Sequence, residues 1–141
     1  MLHKSFVLDT SSILSYLLGE IQKDQIAEQI YSAEEIFISA GTLSELFIVA
    51  QSKGVFKQTR NFVEELHLQV VPVTRSTAEQ IEKIYIKWGK GFNPACLNFG
   101  DCFAYALAKS KGLPLLFKRM PLFLFPVLLE RFWQSIMCTI K

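Results

Sequence analysis

The order of its short apolar runs is the feature that most constrains how this chain folds. Four strand-like runs alternate with pairs of helical stretches, in the order β-α-α-β-α-α-β-α-α-β. The runs are Phe6 to Leu8, Ile36 to Ile38, Leu68 to Val73 and Leu113 to Phe117. This order predicts an α/β fold in which helices flank a central, mainly parallel sheet.

Capping residues mark the helices between these runs. Ser11 and Ser12 are suited to cap the first helix, Ser39 caps the third, and Gly54 follows its end. The predicted helices are Ile13 to Leu18, Lys23 to Ser32, Ala40 to Lys53, Phe56 to Leu66, Ser76 to Trp88 and Phe99 to Lys111. Residues 89–98 contain two glycines and a proline, which predicts a loop.

Size and composition indicate one cytoplasmic domain. The chain has 141 residues, half of them apolar, which is enough to fill a single core. The N-terminus lacks the pattern of a signal peptide, and the apolar run from Met120 to Leu129 is too short to span a bilayer. A net charge of +2 neither requires nor excludes a nucleic-acid partner. Cys96, Cys102 and Cys138 have no zinc-type spacing, so we expect reduced thiols.

Three acidic residues at the borders of apolar elements are the candidate functional residues. Asp9 follows the first strand, Glu45 lies in the helix after the second, and Asp101 opens the last helix. Converging carboxylates would form an oxygen-rich site suited to Mg²⁺ or Mn²⁺. Each also has a structural explanation: Asp9 as a helix cap, and Glu45 and Asp101 at capping-box spacing from Thr42 and Asn98. Spacing alone favours the caps and does not bring the three acids together.

Three segments of the chain resemble a known family. They are residues 6–14 (FVLDTSSIL), 38–46 (ISAGTLSEL) and 89–109 (GKGFNPACLNFGDCFAYALAK), with 114–118 (PLLFK) following the last. The third segment is long and specific, and the segments occur in the family's order. The chain resembles the PIN-domain nucleases, specifically the VapC-like ribonuclease toxins of type II toxin–antitoxin systems.

The resemblance implies a fold and a metal site. Residues 1–118 would form a PIN-like three-layer sandwich around the mainly parallel sheet. Asp9, Glu45 and Asp101 would be catalytic and would bind Mg²⁺ or Mn²⁺. The hydroxyl of Thr10 or Ser11 would form a hydrogen bond to the Asp9 carboxylate without contacting the metal. The family's chemistry is cleavage of RNA phosphodiester bonds.

The resemblance also implies partners. These are an RNA substrate, a cognate antitoxin and a second copy of the chain in a homodimer, with no membrane involved. The apolar surface of Ile13, Leu17 and Leu18, or the helix that carries Phe47, is the candidate dimer surface.

The resemblance ends abruptly after Lys118. Family members usually continue with Gly, then Asp or Asn, another small or acidic residue, and Phe. That Asp or Asn position supplies the fourth acid of the site. This chain continues instead as RMPLFLFP, and Glu130 is the one carboxylate side chain in residues 119–141. Residues 119–141 therefore form a divergent apolar tail, and loss of the fourth acid is expected to weaken catalysis.

A one-base shift of the reading frame would explain the divergent tail. The codons for Met120 and Pro121, read one base earlier, give Asp-Ala or Asn-Ala, depending on the last base of the Arg119 codon. If the Pro121 codon ends in T and the Leu122 codon begins with TT, Phe follows, and the shifted frame then restores the family's pattern. DNA with no family-like ending in the neighbouring frame would contradict this hypothesis.

Basic and aromatic residues of the C-terminal half are candidates for RNA contacts. Trp88 and Phe92 could stack on bases. The candidate cations for phosphates are Lys87, Lys90, Lys109, Lys111, Lys118 and Arg119. The favoured alternative is a solvated lysine face and core aromatics. Phe99, Phe103 and Tyr105 are expected in the core.

Two rival functions stay open from the sequence. One is a catalytically inactive PIN remnant that binds an antitoxin or RNA. The other is a phosphate-binding α/β module whose acids are helix caps and bind no metal.

Overall fold

The strands and helices follow the predicted order and add one strand at the end. The computed structural model describes residues 5–91, 97–117 and 123–126. The strands are β1 (Ser5–Leu8), β2 (Glu35–Ser39), β3 (Gln69–Val71), β4 (Pro114–Phe117) and β5 (Phe123–Pro126). The helices are α1 (Thr10–Leu17), α2 (Lys23–Ser32), α3 (Ala40–Ser52), α4 (Phe56–Glu65), α5 (Arg75–Trp88) and α6 (Phe99–Lys111).

The five strands form one sheet in the order β3-β2-β1-β4-β5. The first four run parallel to one another, as predicted for strands joined by helical crossovers. Strand β5 is antiparallel to β4, with Pro114 opposite Pro126 and Phe117 opposite Phe123. The divergent tail therefore contributes a strand that the sequence pattern did not predict.

The central strands of the sheet are buried on both faces. Val7 and Leu115 belong to a core shared with α5 and α6. Phe6, Leu8 and Leu116 belong to a second core, shared with α1 to α4 on the opposite face. Successive strand residues point to opposite faces, so a nearly continuous apolar run is what a strand covered on both sides requires. The arrangement is a three-layer α/β/α sandwich, which confirms the expected fold.

Several helix ends match their predicted caps. Ser39 caps α3, because its hydroxyl accepts the Gly41 N–H at 3.2 Å. Gly54 has φ +73° just beyond that helix, and Gly112 ends α6 with φ +63°. Such left-handed positions favour glycine, which has no Cβ to clash.

Other expectations were wrong. Helix α1 begins at Thr10 and is capped by Asp9 rather than by Ser11 or Ser12. Ile13 is fully buried, so it cannot belong to a dimer surface, whereas Leu18 is 40% exposed.

In the described ranges, no helix is long and apolar enough to cross a membrane.

A buried hydroxyl joins the first helix to the last parallel strand. The Ser12 side chain has no solvent exposure, and its hydroxyl donates to the carbonyl oxygen of Leu116 at 2.8 Å. This bond holds the start of α1 against the end of β4. Asp9, which directly precedes α1, bonds to the same carbonyl oxygen through its backbone N–H.

We predict that Ser12→Ala lowers the free energy of unfolding by about 0.5–1.5 kcal/mol, because the buried Leu116 carbonyl loses one of its two donors and keeps the Asp9 N–H. Urea unfolding measures the change. Ser52→Ala is the matched control, since the Ser52 hydroxyl also donates to a backbone carbonyl but is exposed, at 2.9 Å from Val49 O. Equal effects of the two substitutions would contradict the structural role of Ser12.

Candidate functional site

Three helix N-termini meet at one edge of the sheet. Helices α1 and α3 follow directly from the carboxyl ends of β1 and β2. Helix α6 leads into the start of β4, so its own N-terminus lies at that same carboxyl edge. The Thr10 hydroxyl donates to the Thr42 carbonyl at 3.4 Å, which ties α1 to the first turn of α3. Open α/β sheets commonly carry their sites at this edge.

Asp9 stands at the end of the central strand. Its backbone N–H donates to Leu116 O at 3.2 Å, which continues the pairing with β4. One carboxylate oxygen accepts the Ser11 hydroxyl at 2.6 Å and the Ser11 backbone N–H at 3.4 Å. The hydroxyl that bonds Asp9 is therefore that of Ser11, while the Thr10 hydroxyl faces α3.

The environment of Asp9 disfavours its negative charge. Loss of hydration on burial raises the pKa of the Asp9 carboxyl, and hydrogen bonds from Ser11 and Thr10 offset part of that rise. Within the described ranges, no lysine, arginine or histidine forms an ion pair with Asp9. A desolvated carboxylate without a positive neighbour is a group that a bound cation would stabilise.

Glu45 packs against the start of α6. A Cβ added to Gly100 would lie 2.6 Å from the carboxyl carbon of Glu45 and would overlap its oxygens. One turn earlier on α3, Gly41 meets the ring of Phe103 just as closely. The two glycines let α3 and α6 approach until the Glu45 carboxylate touches the backbone beside Asp101.

Asp101 is engaged in the capping box of α6. Its carboxylate accepts the Asn98 N–H at 2.9 Å, and the Asp101 N–H donates to the Asn98 side chain at 2.8 Å. The structural explanation of Asp101 as a capping residue is therefore confirmed. The capping box also holds the Asp101 carboxylate at the helix N-terminus, where the helix dipole favours negative charge.

The arrangement brings the predicted residues to one edge without grouping all three carboxylates. Thr10 links Asp9's helix to α3, and Glu45 reaches the residue before Asp101. In the described part of the chain, no three His, Cys, Asp or Glu side chains are grouped so as to hold a metal ion. The donor set still fits a divalent cation chemically, because it consists of hard carboxylate oxygens and includes the partly desolvated Asp9.

Cys102, next to Asp101, is not a candidate ligand or nucleophile. Burial, with a smaller contribution from the Asp101 charge, raises the pKa of the Cys102 thiol to about 12. The thiol is therefore protonated at neutral pH, whereas metal binding and nucleophilic attack need the thiolate. Cys96 and Cys138 lie outside the described residues.

The burial of the aromatic side chains tests their assignments from the sequence. Trp88 is buried, at 6% exposure, which confirms the favoured alternative, a core aromatic, over base stacking. Phe99 is 65% exposed, although we expected it in the core with Tyr105. Phe92 lies outside the described residues. Sequence reasoning missed Phe99 and Gly100, although their position directly before Asp101 was a usable signal.

We predict that Asp9→Asn raises the stability of the metal-free protein at pH 7.5 by about 1 kcal/mol, the size of a typical stabilising substitution. Asn removes the desolvated charge and remains a good N-cap. The folded-state pKa of Asp9 is raised, so ionisation opposes folding above that pKa. The gain should therefore vanish as the pH falls towards 3.8, the ordinary pKa of the group.

Urea unfolding at several pH values measures this gain. The matched control is Asp24→Asn, which alters an exposed acid in the first turn of α2 and should bring no gain. A loss of stability in the Asp9→Asn variant at pH 7.5 would contradict the prediction.

Comparisons with known proteins agree with this architecture. A PIN-domain family profile matches residues 6–119. VapC ribonuclease Mb0625 from Mycobacterium bovis is 34% identical over 116 residues, which span 79% of this chain and 87% of that protein. Ribonuclease VapC from Mycolicibacterium smegmatis is 34% identical over 115 residues, spanning 79% and 89% of the two chains.

Solved structures share the fold at lower sequence identity. A toxin–antitoxin complex from Klebsiella pneumoniae superposes with a TM-score of 0.62 at 17% identity, covering 82% of this chain and 87% of that one. VapC20 from Mycobacterium tuberculosis gives a TM-score of 0.62 at 16% identity, covering 76% and 83%. The strand order, the carboxyl-edge acids and the sequence matches together assign the chain: it belongs to the PIN-domain family, among its VapC-like members.

Proposed function

We propose that this protein is an endoribonuclease toxin that cleaves RNA with Mg²⁺ or Mn²⁺ held by Asp9, Glu45 and Asp101. The observation that carries the proposal is the partly desolvated Asp9 carboxylate, which has no cationic partner among the described residues. The names of the relatives support the reaction, since both curated proteins are called ribonucleases. The Klebsiella pneumoniae complex supports a small antitoxin as the natural partner.

When bound, the cation would polarise a phosphoryl oxygen and acidify the water that attacks phosphorus. The chain's own residues orient the groups around that position. The Ser11 hydroxyl fixes one oxygen of Asp9, and the close approach at Gly100 fixes the Glu45 carboxylate. The α1, α3 and α6 N-termini add partial positive charge, which favours an anionic phosphate at this edge.

The missing fourth acid makes catalysis slower than in an intact relative. The position that the family fills with Asp or Asn corresponds to about Met120, which lies outside the described residues. Losing one of four acids leaves fewer oxygens to hold the cation, although water can replace an oxygen ligand of Mg²⁺. A second candidate function follows from the same loss: a catalytically inactive PIN protein that binds an antitoxin or RNA.

We predict that the purified protein cleaves single-stranded RNA in Mg²⁺ or Mn²⁺ and not in EDTA, at a rate roughly 10- to 100-fold below that of a relative with all four acids. Asp9→Asn and Asp101→Asn should each lower the rate further, by about 100-fold or more, because each removes a charged oxygen ligand. Asp24→Asn is the control that leaves the rate unchanged. Gel analysis of a 5′-labelled RNA measures the cleavage rates of all five proteins.

Cleavage that persists in EDTA, or that is indifferent to Asp9→Asn, would contradict the proposed reaction. RNA or antitoxin binding without any cleavage would instead favour the inactive protein.

We predict that Gly100→Ala weakens Mn²⁺ binding by roughly 10- to 100-fold, the usual effect of disturbing the support of a metal ligand. The new Cβ would push the Glu45 carboxylate aside, while the helix itself should be as stable or more stable, because Ala is a better helix former. Titration calorimetry and urea unfolding separate these two effects.

The double variant Gly100→Ala/Glu45→Gln provides the internal control for that experiment. If Gly100 acts through Glu45, the Gly100→Ala change should have little further effect once the Glu45 carboxylate is gone. Additive losses in the two backgrounds would show that Gly100 acts by another route.

A further inference from the structure

We propose that Phe99 is a stacking platform for an unpaired base of the RNA, next to the phosphate that the carboxylates address. The inference rests on the proposed function and adds a residue that positions the substrate. It also narrows the substrate class to RNA that is single-stranded, because a base must be free to leave its stack and cover the ring.

The position of Phe99 is the first argument. The side chain is 65% exposed, although burying a large aromatic ring is among the strongest gains in folding. Phe99 directly precedes Gly100, whose backbone touches Glu45, and stands two residues before Asp101. A nucleotide whose phosphate lies at the carboxylates therefore has an exposed aromatic ring beside it.

The ring is held in one orientation. Its centroid lies 4.9 Å from that of Phe103, and the two planes meet at 74°, an edge-to-face contact. Phe103 is itself held, because it packs directly on the Cα of Gly41 in α3. A preorganised ring loses little conformational entropy when a base stacks on it, which is how aromatic platforms bind single strands.

Two exposed lysines belong to a segment that is bonded to the chain just before Phe99. A parallel bridge pairs Gly89 with Leu97, and the Lys90 N–H donates to Leu97 O at 2.9 Å. The end of α5, with the exposed residues Lys87 and Lys90, is thereby joined to the chain just before Phe99. Exposed lysines on a segment that is bonded to the chain beside an exposed aromatic ring would attract a single-stranded phosphate backbone while a base stacks.

The surroundings favour RNA over a protein partner at this point. A protein interface needs a contiguous apolar area at its centre. The residues adjoining Phe99 towards the site are Asn98 and Asp101, which are polar, and Lys90 lies across the bridge. Polar and charged groups beside an apolar patch as small as the Phe99–Phe103 pair suit a nucleotide better than an apolar helix.

The test is RNA binding in the Asp9→Asn background, which is expected not to cleave. Phe99→Leu should weaken binding of a fluorescein-labelled single-stranded RNA by roughly 5- to 100-fold, the usual loss for one stacked base. Phe99→Trp should keep the affinity, and its tryptophan fluorescence should be quenched by the single strand but not by a duplex of the same sequence. Tyr31→Leu is the matched control, since Tyr31 is 57% exposed and precedes β2, at the opposite edge of the sheet.

In the cleaving protein, Phe99→Leu should raise KM by a similar factor and change kcat less, because the ring binds the substrate without touching the reacting atoms. Urea unfolding should be unchanged, since the side chain is mostly exposed. Unaltered RNA affinity and KM in Phe99→Leu would overturn the inference and leave the proposed function standing.

Two further outcomes would overturn the inference. Loss of self-association or antitoxin binding in Phe99→Leu, with RNA affinity intact, would assign the ring to a protein interface. Absence of both RNA binding and RNA cleavage in the unsubstituted protein would overturn the inference together with the proposed function.

Discussion

Strand β1 is buried on both faces and paired on both edges, and the other elements are arranged around it. Phe6, Val7 and Leu8 have no solvent exposure, and they divide between the two cores. Because β2 and β4 flank this strand in parallel, every crossover must return to the same end of the sheet. The residue after β1 is therefore carried to the carboxyl edge whatever its chemistry, and in this chain that residue is Asp9.

The sequence was sufficient to predict the helices and strands, but not the contacts between residues that are far apart in the chain. Apolar runs and capping residues predicted the four parallel strands and six helices, because local patterning depends on neighbours within a few residues. The contact between Glu45 and Gly100 joins residues 55 positions apart in the sequence. No periodicity encodes such a contact, and the family resemblance alone suggested that the acids converge. Phe99 was misassigned because aromatic residues are usually buried, whereas its exposure depends on which way the first turn of α6 faces.

Helix capping and the proposed metal binding are compatible uses of the same acids. Asp9 caps α1 and Asp101 belongs to the capping box of α6, so the structural explanation of both residues holds. A helix N-terminus with its unpaired N–H groups tolerates a carboxylate in the absence of any cation. The protein can thus keep negative groups at the sheet edge while it folds, and any bound cation adds to a position that is already built. At the end of the central strand the stabilisation by the helix N-terminus is only partial, because burial still raises the pKa of the Asp9 carboxyl.

The antiparallel pairing of β5 with β4 bears on how many different C-terminal sequences the fold can accept. Sheet hydrogen bonds join backbone groups, so an edge strand is accepted on its extended shape and apolar character more than on its particular residues. Residues 123–126 read FLFP, a composition that fits such an edge and ends in a proline that cannot donate a ladder bond. A tail that meets only these two requirements can therefore cover the open side of β4. The edge of the sheet is in this respect permissive, because its pairing depends on backbone groups and tolerates many different side chains.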